Sequence, residues 1–322
     1  MGFTAVEAGS RNGSRGCKGN PRNAFSTVLS MSSYKSQIER ADVLIEALPF
    51  LQRYRGNTFV IKYGGSAMED DHIVDRLLRD VVFLEAVGIN PVLLHGGGKA
   101  ITSRMREAGI KPQFVNGLRK TDQHAIQIVE ETLDGVINPR IVSTINELGG
   151  RARGFSGKEI FRAEKIPPQI AGKDTVDLGF VGTVSGIDLA ELKKAIAEET
   201  VPVISPIARA SDGSVLNVNA DVAAGSVAGE LKAAKLIYLS DVLGIMRDQG
   251  SKDSLIPSVN RQMIGKLIKE QIVSGGMLPK VESAIKALSS GVGKVHLIDG
   301  HIPHSVLLEI FTNAGIGTEI VP

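Results

Sequence analysis

Three times in this 322-residue chain a β-rich run ends in glycine and gives way to a helical stretch. Thr58–Tyr63 ends at Gly64-Gly65, before a helix expected from Asp70 to Val87. Pro91–His95 ends at Gly96-Gly97-Gly98, before a helix from about Lys99 to Ala108 that Gly109 stops. Lys294–Ile298 ends near Gly300, before a helix through Ser305–Phe311. Val201–Ile204 and Lys235–Leu239 read as further buried strands. Strands that alternate with helices form a parallel sheet covered on both faces. The pattern therefore predicts an α/β fold, a three-layer αβα sandwich around a mainly parallel sheet. It changes between residues 151 and 218. There Arg151–Phe161, Asp177–Val184 and the Asp212-Gly213 turn suggest short antiparallel hairpins that form a lid or a pocket wall.

The beginning of the chain lies outside this alternation. Residues 1–31 carry Arg11, Arg15, Lys18 and Arg22 against the single acid Glu7, and lack apolar periodicity. Without an apolar core segment this is no secretory signal. Residues 1–33 are expected to add nothing to the fold, either as a disordered leader or a start placed too early, with Met31 the true one, or else as an organelle transit segment. The first reading places the protein in the cytoplasm, the second in the plastid stroma. Residues 34–56 then form an amphipathic helix. Ser36-Gln37-Ile38-Glu39 is a capping-box pattern, and Ile38, Ala41, Leu44, Ile45, Leu48 and Leu51 recur at helical spacing. Pro49 predicts a kink or a break. Such a helix either packs on its own sheet or serves as an arm that docks on another subunit.

Composition removes several classes of function. Lys plus Arg number 37 and Asp plus Glu 35, a balance unsuited to coating nucleic acid or an anionic membrane. No apolar run approaches the roughly 18 residues of a membrane span. A lone cysteine, Cys17, excludes an internal disulfide or a multi-cysteine zinc site. His301 and His304 are the one close histidine pair, and Pro303 between them spoils helical ligand spacing.

Chemistry concentrates in the glycine loops. In open α/β sheets ligands bind outside the carboxyl ends of the strands, where Gly64-Gly65 and Gly96-Gly97-Gly98 lie. A helix N-terminus there favours an anion, and glycine lets the backbone approach it. One such loop alone could be a tight turn; two, with Lys62 at a strand end, point to phosphate or carboxylate binding. Neither loop fits a P-loop, a dinucleotide fingerprint or a protein-kinase signature. Further along, Asn217-Val218-Asn219-Ala220-Asp221 closes a hairpin and opens an Ala- and Gly-rich helix, with Asp221 a candidate N-cap. Ser240-Asp241 ends a strand in polar groups, and Gly275-Gly276 precedes Lys280 at a helix start, a placement that suits a phosphate.

Six segments occur in order: Lys62-Tyr63-Gly64-Gly65, His95-Gly96-Gly97-Gly98, Asn116-Gly117-Leu118-Arg119, Asn217-Val218-Asn219-Ala220-Asp221, Ser240-Asp241-Val242 and Gly275-Gly276-Met277-Leu278-Pro279-Lys280. Together they resemble the amino acid kinase family, and within it the branch that phosphorylates N-acetyl-L-glutamate. The resemblance spans about residues 36–322 and implies the following. ATP, with Mg²⁺ carried on its phosphates, phosphorylates the side-chain carboxylate of N-acetyl-L-glutamate, the second step of arginine synthesis. A lobe of about 57–215 holds the acetylglutamate and one of about 216–322 the nucleotide. Lys62 and Lys280 stabilise the transferring phosphoryl group, and Asp221 holds both lysines. Gly64 and Gly65 donate to the phosphoryl group. Gly97, Gly98, Arg119 and Asn217 bind the substrate, while Ser240, Asp241, Gly244, Gly275 and Gly276 line the nucleotide site.

The same comparison implies regulation. Arginine-inhibited members have the helix before the first strand and form hexamers through it. His296, Glu309 and Gly315 match positions that line their arginine site. Phe50 stands where that helix often has Tyr, and Tyr54 follows one turn later. A nitrogen-signalling regulator is a further expected partner; nucleic acid and membrane are not.

Overall fold

The computed structural model describes residues 31–322 apart from Glu69, Lys173 and Gln249. The leader and Cys17 therefore lie outside the described residues, except that Met31 already belongs to a helix. By internal contacts the chain divides into two units, Met1–Glu46 and Ala47–Pro322. Helix α1 (Met31–Tyr54) begins in the first and ends in the second. One expectation changes here and one narrows. Ser36 sits inside α1 rather than at its start, and of the kink or break expected at Pro49 the break does not occur.

The second unit is built on an eight-stranded sheet. Its strands are β1 (Thr58–Tyr63), β2 (Asn90–His95), β3 (Ala152–Phe155), β4 (Val201–Ile204), β5 (Lys235–Ser240), β6 (Ser258–Asn260), β7 (Lys294–Asp299) and β8 (Thr318–Val321). They lie in the order β6-β8-β7-β5-β1-β2-β4-β3, and β7–β8 alone is antiparallel. The expected mainly parallel sheet is thus present. Arg151–Phe155, however, does not form a hairpin. It supplies β3, an edge strand of this sheet.

Successive side chains of a strand point to opposite faces. Along β1, Phe59, Ile61 and Tyr63 enter the apolar cluster that holds Leu78, Val81 and Leu84 of helix α2 (Asp71–Ala86). Val60 enters the cluster of the other face. Lys62 shares the parity of Val60, so its ammonium is carried to that second face. Two helices cover it, α6 (Ala220–Leu231) and α7 (Met277–Ser289). A Cβ on Gly225 would stand 2.2 Å from Ser283 Oγ, and one on Gly229 2.8 Å from Ser290 Cβ. These small residues let α6 and α7 approach closely.

On the β2 side, helix α3 (Gly98–Glu107) starts at the glycine loop, and α4 (Gln123–Thr132) continues through a π turn (Leu133–Ile137) into α5 (Asn138–Glu147). The region expected as hairpins closes into four strands, Phe161–Lys165, Val181–Ile187, Ile207–Ala210 and Val215–Val218. Two of their pairings are antiparallel, one across the Asp212-Gly213 turn, and two are parallel.

A polar contact, buried on the α2 side, joins α2 to the loop before helix α8 (Ser305–Phe311). His304 Nδ1 lies 2.6 Å from Asp80 Oδ1, and the Asp80 side chain is 1 % exposed. Burial pushes the Asp80 carboxyl up to about 6, against the hydrogen bond to His304 and the amides of Val306 and Leu307. A carboxyl raised on folding favours the folded state while protonated. Its contribution should therefore fall by roughly 3 kcal/mol as pH rises from about 4 to about 6. Asp80→Asn is expected to remove that part of the slope in urea unfolding followed against pH. Parallel curves for the two proteins would contradict this account.

Candidate active site

The carboxyl ends of the central strands sit side by side. Tyr63 is in register with His95, Lys62 with Tyr238, and Ser240 with Asp299. Two cavities open there, and they share Lys62, Gly64 and Gly65. One is walled by Gly97, Gly98, Arg119, Asn217 and Asp221. The other is walled by Ser240, Asp241, Gly276 and Lys280. Lys62, Lys280, Gly64, Gly65, Gly97, Gly98 and Gly276, all singled out from the sequence, thus meet at one junction.

At its centre two ammonium groups share one carboxylate. Lys62 Nζ lies 2.9 Å from Asp221 Oδ1, and Lys280 Nζ 2.6 Å from Asp221 Oδ2. Burial lowers the pKa of Lys62, and Lys280 lowers it further, while Asp221 acts in the opposite sense. Burial would raise Asp221, but the two lysines outweigh it and hold the carboxyl below its ordinary value. The carboxylate is therefore ionised and poorly suited to act as a base near neutral pH.

Asp221 is not the N-cap. That role falls to Asn219, whose Oδ1 accepts from the amides of Asp221 (2.8 Å) and Val222 (3.2 Å). Asp221 occupies the first turn of α6, which leaves its carboxylate to the lysines. Its backbone is tied as well. Ser283 Oγ donates to the Asp221 carbonyl at 2.8 Å, and the Tyr238 hydroxyl donates to Ser283 Oγ at 2.8 Å. Neither Tyr238 nor Ser283 stood out in the sequence. A tyrosine in an otherwise aliphatic buried strand was the available signal.

The glycines have steric reasons. A Cβ on Gly64 would lie 2.5 Å from Lys62 Nζ. Gly65 has φ +83°, and a Cβ there would lie 2.3 Å from Asp241 Oδ1. That same oxygen accepts from Ser66 N at 2.9 Å, so Asp241 braces the loop as well as lining the second cavity. Gly97 admits no Cβ because Leu133 Cδ2 and Ile137 Cδ1 of the π turn would stand 2.6 and 2.8 Å from it.

Arg119 is buried. Its Nη2 donates to the Gly98 carbonyl (2.6 Å) and to Thr102 Oγ1 (2.8 Å), and its guanidinium lies 4.6 Å from the Phe114 ring centroid. It therefore reaches the first cavity held in place from α3. Asn217 contacts Thr121 Oγ1 at 3.4 Å on the same wall. Gly244 goes elsewhere. Its φ is +154°, and a Cβ would lie 2.5 Å from Thr318 Oγ1, so it packs against β8. Gly275, at φ +55°, forms the turn that precedes α7.

A second cluster occupies the neighbourhood of β5 and β7. His296 Nδ1 lies 2.6 Å from Glu309 Oε1, and Lys235 Nζ lies 2.9 Å from His296 Nε2. Glu309 Oε2 accepts from the amides of Ile316 and Gly317. Gly315 has φ +64°, and a Cβ there would stand 2.9 Å from Glu309 Oε2. Burial lowers Lys235 to about 8 and lowers His296 too. Lys235 was not singled out from the sequence, where it read as the start of a buried strand. Its ammonium lies 5.3 Å from the Tyr54 ring centroid, whereas Phe50 packs edge-on against Phe311. Tyr54, not Phe50, is the aromatic side chain next to this cluster.

The amino acid kinase family model matches residues 57–299. The chain belongs to the amino acid kinase family. Among curated relatives, the acetylglutamate kinase of Akkermansia muciniphila is 52 % identical over 285 residues, covering 88 % of this chain and 96 % of its own. That of Aquifex aeolicus is 44 % identical, covering 88 % and 98 %. Among solved structures, N-acetylglutamate synthase from Neisseria gonorrhoeae, complexed with coenzyme A and N-acetyl-glutamate, superposes with a TM-score of 0.77 at 27 % identity. The match covers 88 % of this amino acid kinase and 63 % of the synthase chain. The same synthase is also known complexed with L-arginine, at a TM-score of 0.73 and 26 % identity over 87 % of this chain and 65 % of that one.

Proposed function

We propose that this kinase transfers the terminal phosphoryl group of ATP to the side-chain carboxylate of N-acetyl-L-glutamate, giving N-acetyl-L-glutamyl 5-phosphate and ADP, the second step of arginine biosynthesis. The observation that carries the reading is the pair of lysines held by Asp221 where two cavities meet. The acceptor is a carboxylate, already ionised at neutral pH, so no general base is required. The obstacle is repulsion between two anions. Lys62 and Lys280 offset it from two sides, and the amides of Gly64 and Gly65 add donors to the travelling group. Phosphoryl transfer is promoted mainly by such positioning and electrostatic stabilisation. Arg119, Gly97, Gly98 and Asn217 would hold the acetylglutamate, with Arg119 suited to its α-carboxylate. Ser240, Asp241, Gly275 and Gly276 would face the nucleotide, and Gly244 would support that wall from behind. Asp221 and Asp241, the carboxylates nearest the junction, are both engaged by other groups, which suits Mg²⁺ delivered on the nucleotide. That ion would neutralise phosphate charge beyond the reach of the lysines.

The deciding experiment is an ADP-release assay with N-acetyl-L-glutamate beside aspartate, glutamate and carbamate. Preference for another acid by tenfold or more in kcat/KM, roughly 1.4 kcal/mol, would replace the substrate.

Arginine inhibition belongs to the same reading. Glu309 would pair the guanidinium of arginine, with His296, Gly315, Lys235 and Tyr54 close by. The exposed apolar side chains Ile38, Leu44, Ile45 and Leu48 support α1 as the arm of a hexamer. Glu309→Ala should raise the arginine concentration for half-inhibition by about tenfold or more, the loss of one charge-assisted pair, with activity lacking arginine retained. Deleting residues 1–55 should leave a dimer with weakened inhibition. An unchanged hexamer on sizing, or unchanged inhibition of Glu309→Ala, would count against this part. No described helix is long and apolar enough to cross a membrane. The site of action is taken as the cytoplasm, or the plastid stroma if residues 1–31 direct it there.

A further inference from the structure

Below the Gly96–Gly98 loop lies a buried polar chain that the mechanism above does not use. His95, the last residue of β2, is fully buried, with Nδ1 2.9 Å from the carbonyl of Gly96 and Nε2 3.2 Å from Asn138 Nδ2. The same Asn138 nitrogen donates to the Val203 carbonyl at 2.9 Å. An amide nitrogen has two hydrogens and no acceptor capacity, so His95 Nε2 must accept the second. Burial lowers His95 to about 4, so near neutral pH the ring carries one proton. That proton is on Nδ1 and donates to the Gly96 carbonyl.

Asn138 is itself placed by the π turn. The turn ends where α5 begins, and a single-turn π insertion inside a helix often marks a functional position. Asp134 within it accepts from Ser205 Oγ (2.5 Å) and Ser156 Oγ (2.7 Å), residues just past β4 and β3. Gly154 leaves room for Asn138, because a Cβ there would lie 2.3 Å from Asn138 Oδ1. From the other side the Gly96 amide donates to the Tyr63 carbonyl at 2.6 Å. Both ends of the Gly96 residue are thus tied, and the direction of the next two amides follows from it.

We propose that His95, held in its Nδ1–H form by Asn138, is a positioning residue that clamps the Gly96 carbonyl and so aims the Gly97 and Gly98 amides at the carboxylate substrate. This rests on the reading that these two glycines hold the substrate. The π turn provides the device: it delivers Asn138 below the loop and presses Leu133 and Ile137 against Gly97.

Side-chain chemistry offers a test that packing alone would not pass. An asparagine at this position places its amide where Nδ1 stands, and a glutamine where Nε2 stands. His95→Asn should keep the KM for N-acetyl-L-glutamate within about threefold, while His95→Gln and His95→Leu should raise it about tenfold or more, with the KM for ATP unchanged in all three. Asn138→Ala, which frees the ring to change tautomer, should raise the same KM about fivefold. Equal effects of Asn and Gln, or a matching rise in the KM for ATP, would overturn the proposal. If His95→Leu does not fold, the Asn and Gln variants decide between these outcomes. Arg119→Leu separates this proposal from the reading beneath it. No rise in its acetylglutamate KM would remove the substrate assignment and this proposal with it. A rise there without discrimination between His95→Asn and His95→Gln would remove this proposal alone.

Discussion

Replacing Lys62 by alanine is expected to lower kcat by about 10²–10³, roughly 3–4 kcal/mol of transition-state stabilisation, while KM for either substrate changes only a few-fold. The reason is where the charge is needed. On the proposed reading, glycine amides and Arg119 would hold one anion in the ground state, and Mg²⁺ carried on the nucleotide would neutralise the other. The phosphoryl group would then pass between the two cavities, both of which Lys62 lines. Lys280→Ala should act in the same direction from the nucleotide side. Lys62→Arg should not restore the rate. Lys62 Nζ already lies so close to Gly64 that a Cβ there would be 2.5 Å away, which leaves little room for a planar guanidinium. Steady-state kinetics on the three variants check this. Activity within a few-fold of the parent in both alanine variants would remove the mechanism.

Asp221→Asn should be costly in two separable ways. It removes the anion shared by two cations, and breaking a buried ion pair by deleting one partner typically costs about 3–5 kcal/mol. Urea unfolding at neutral pH would read that loss. The second effect is on the pH profile. Asp221 favours the ammonium form of Lys62, so its removal lowers the pKa of Lys62 further. With the ammonium as the active form, as the proposed mechanism requires, the alkaline fall in kcat should begin at lower pH in the variant than in the parent. Were Asp221 a general base instead, the variant would lose activity at all pH values with no displacement of the alkaline limb. In the parent, the depressed carboxyl pKa makes a stability contribution that is present above the ordinary carboxylate range and lost as pH falls through the folded value.

The parts of the site that could be read from the chain are those whose reasons are local. Gly64-Gly65 and Gly96-Gly97-Gly98 follow β-rich runs and precede helices, and that order alone places them at strand ends. Lys62 shares the parity of Val60, so its side chain had to leave the sheet on that face. Elsewhere two local patterns compete. Asp221 and Asn219 are both good N-cap residues, and only the backbone geometry shows that Asn219 has the cap and Asp221 is left for the lysines. Arg151–Phe155 has the polar character of a hairpin strand because it lies on an edge of the sheet. Gly244 reads as one more ligand-facing glycine, yet the constraint on it comes from Thr318, a residue far along the chain.

The residues that brace the site were the least legible. Tyr238, Ser283, Asn138 and His95 act through hydrogen bonds between elements remote in sequence. His95 was visible only as the first residue of a glycine motif and Tyr238 only as a tyrosine in an aliphatic strand, and nothing near either in the chain shows which group it holds.

From its order of apolar runs, glycines and helical stretches, this chain specifies an α/β sheet with glycine loops at the carboxyl ends of central strands, because backbone preference and side-chain alternation act over a few residues. The meeting of Lys62, Asp221 and Lys280 was decided in three dimensions. It required β1 to pair with β5 in one register and the small residues of α6 to let α7 come close. Both depend on contacts between distant segments, whose geometry is set only when the whole core packs.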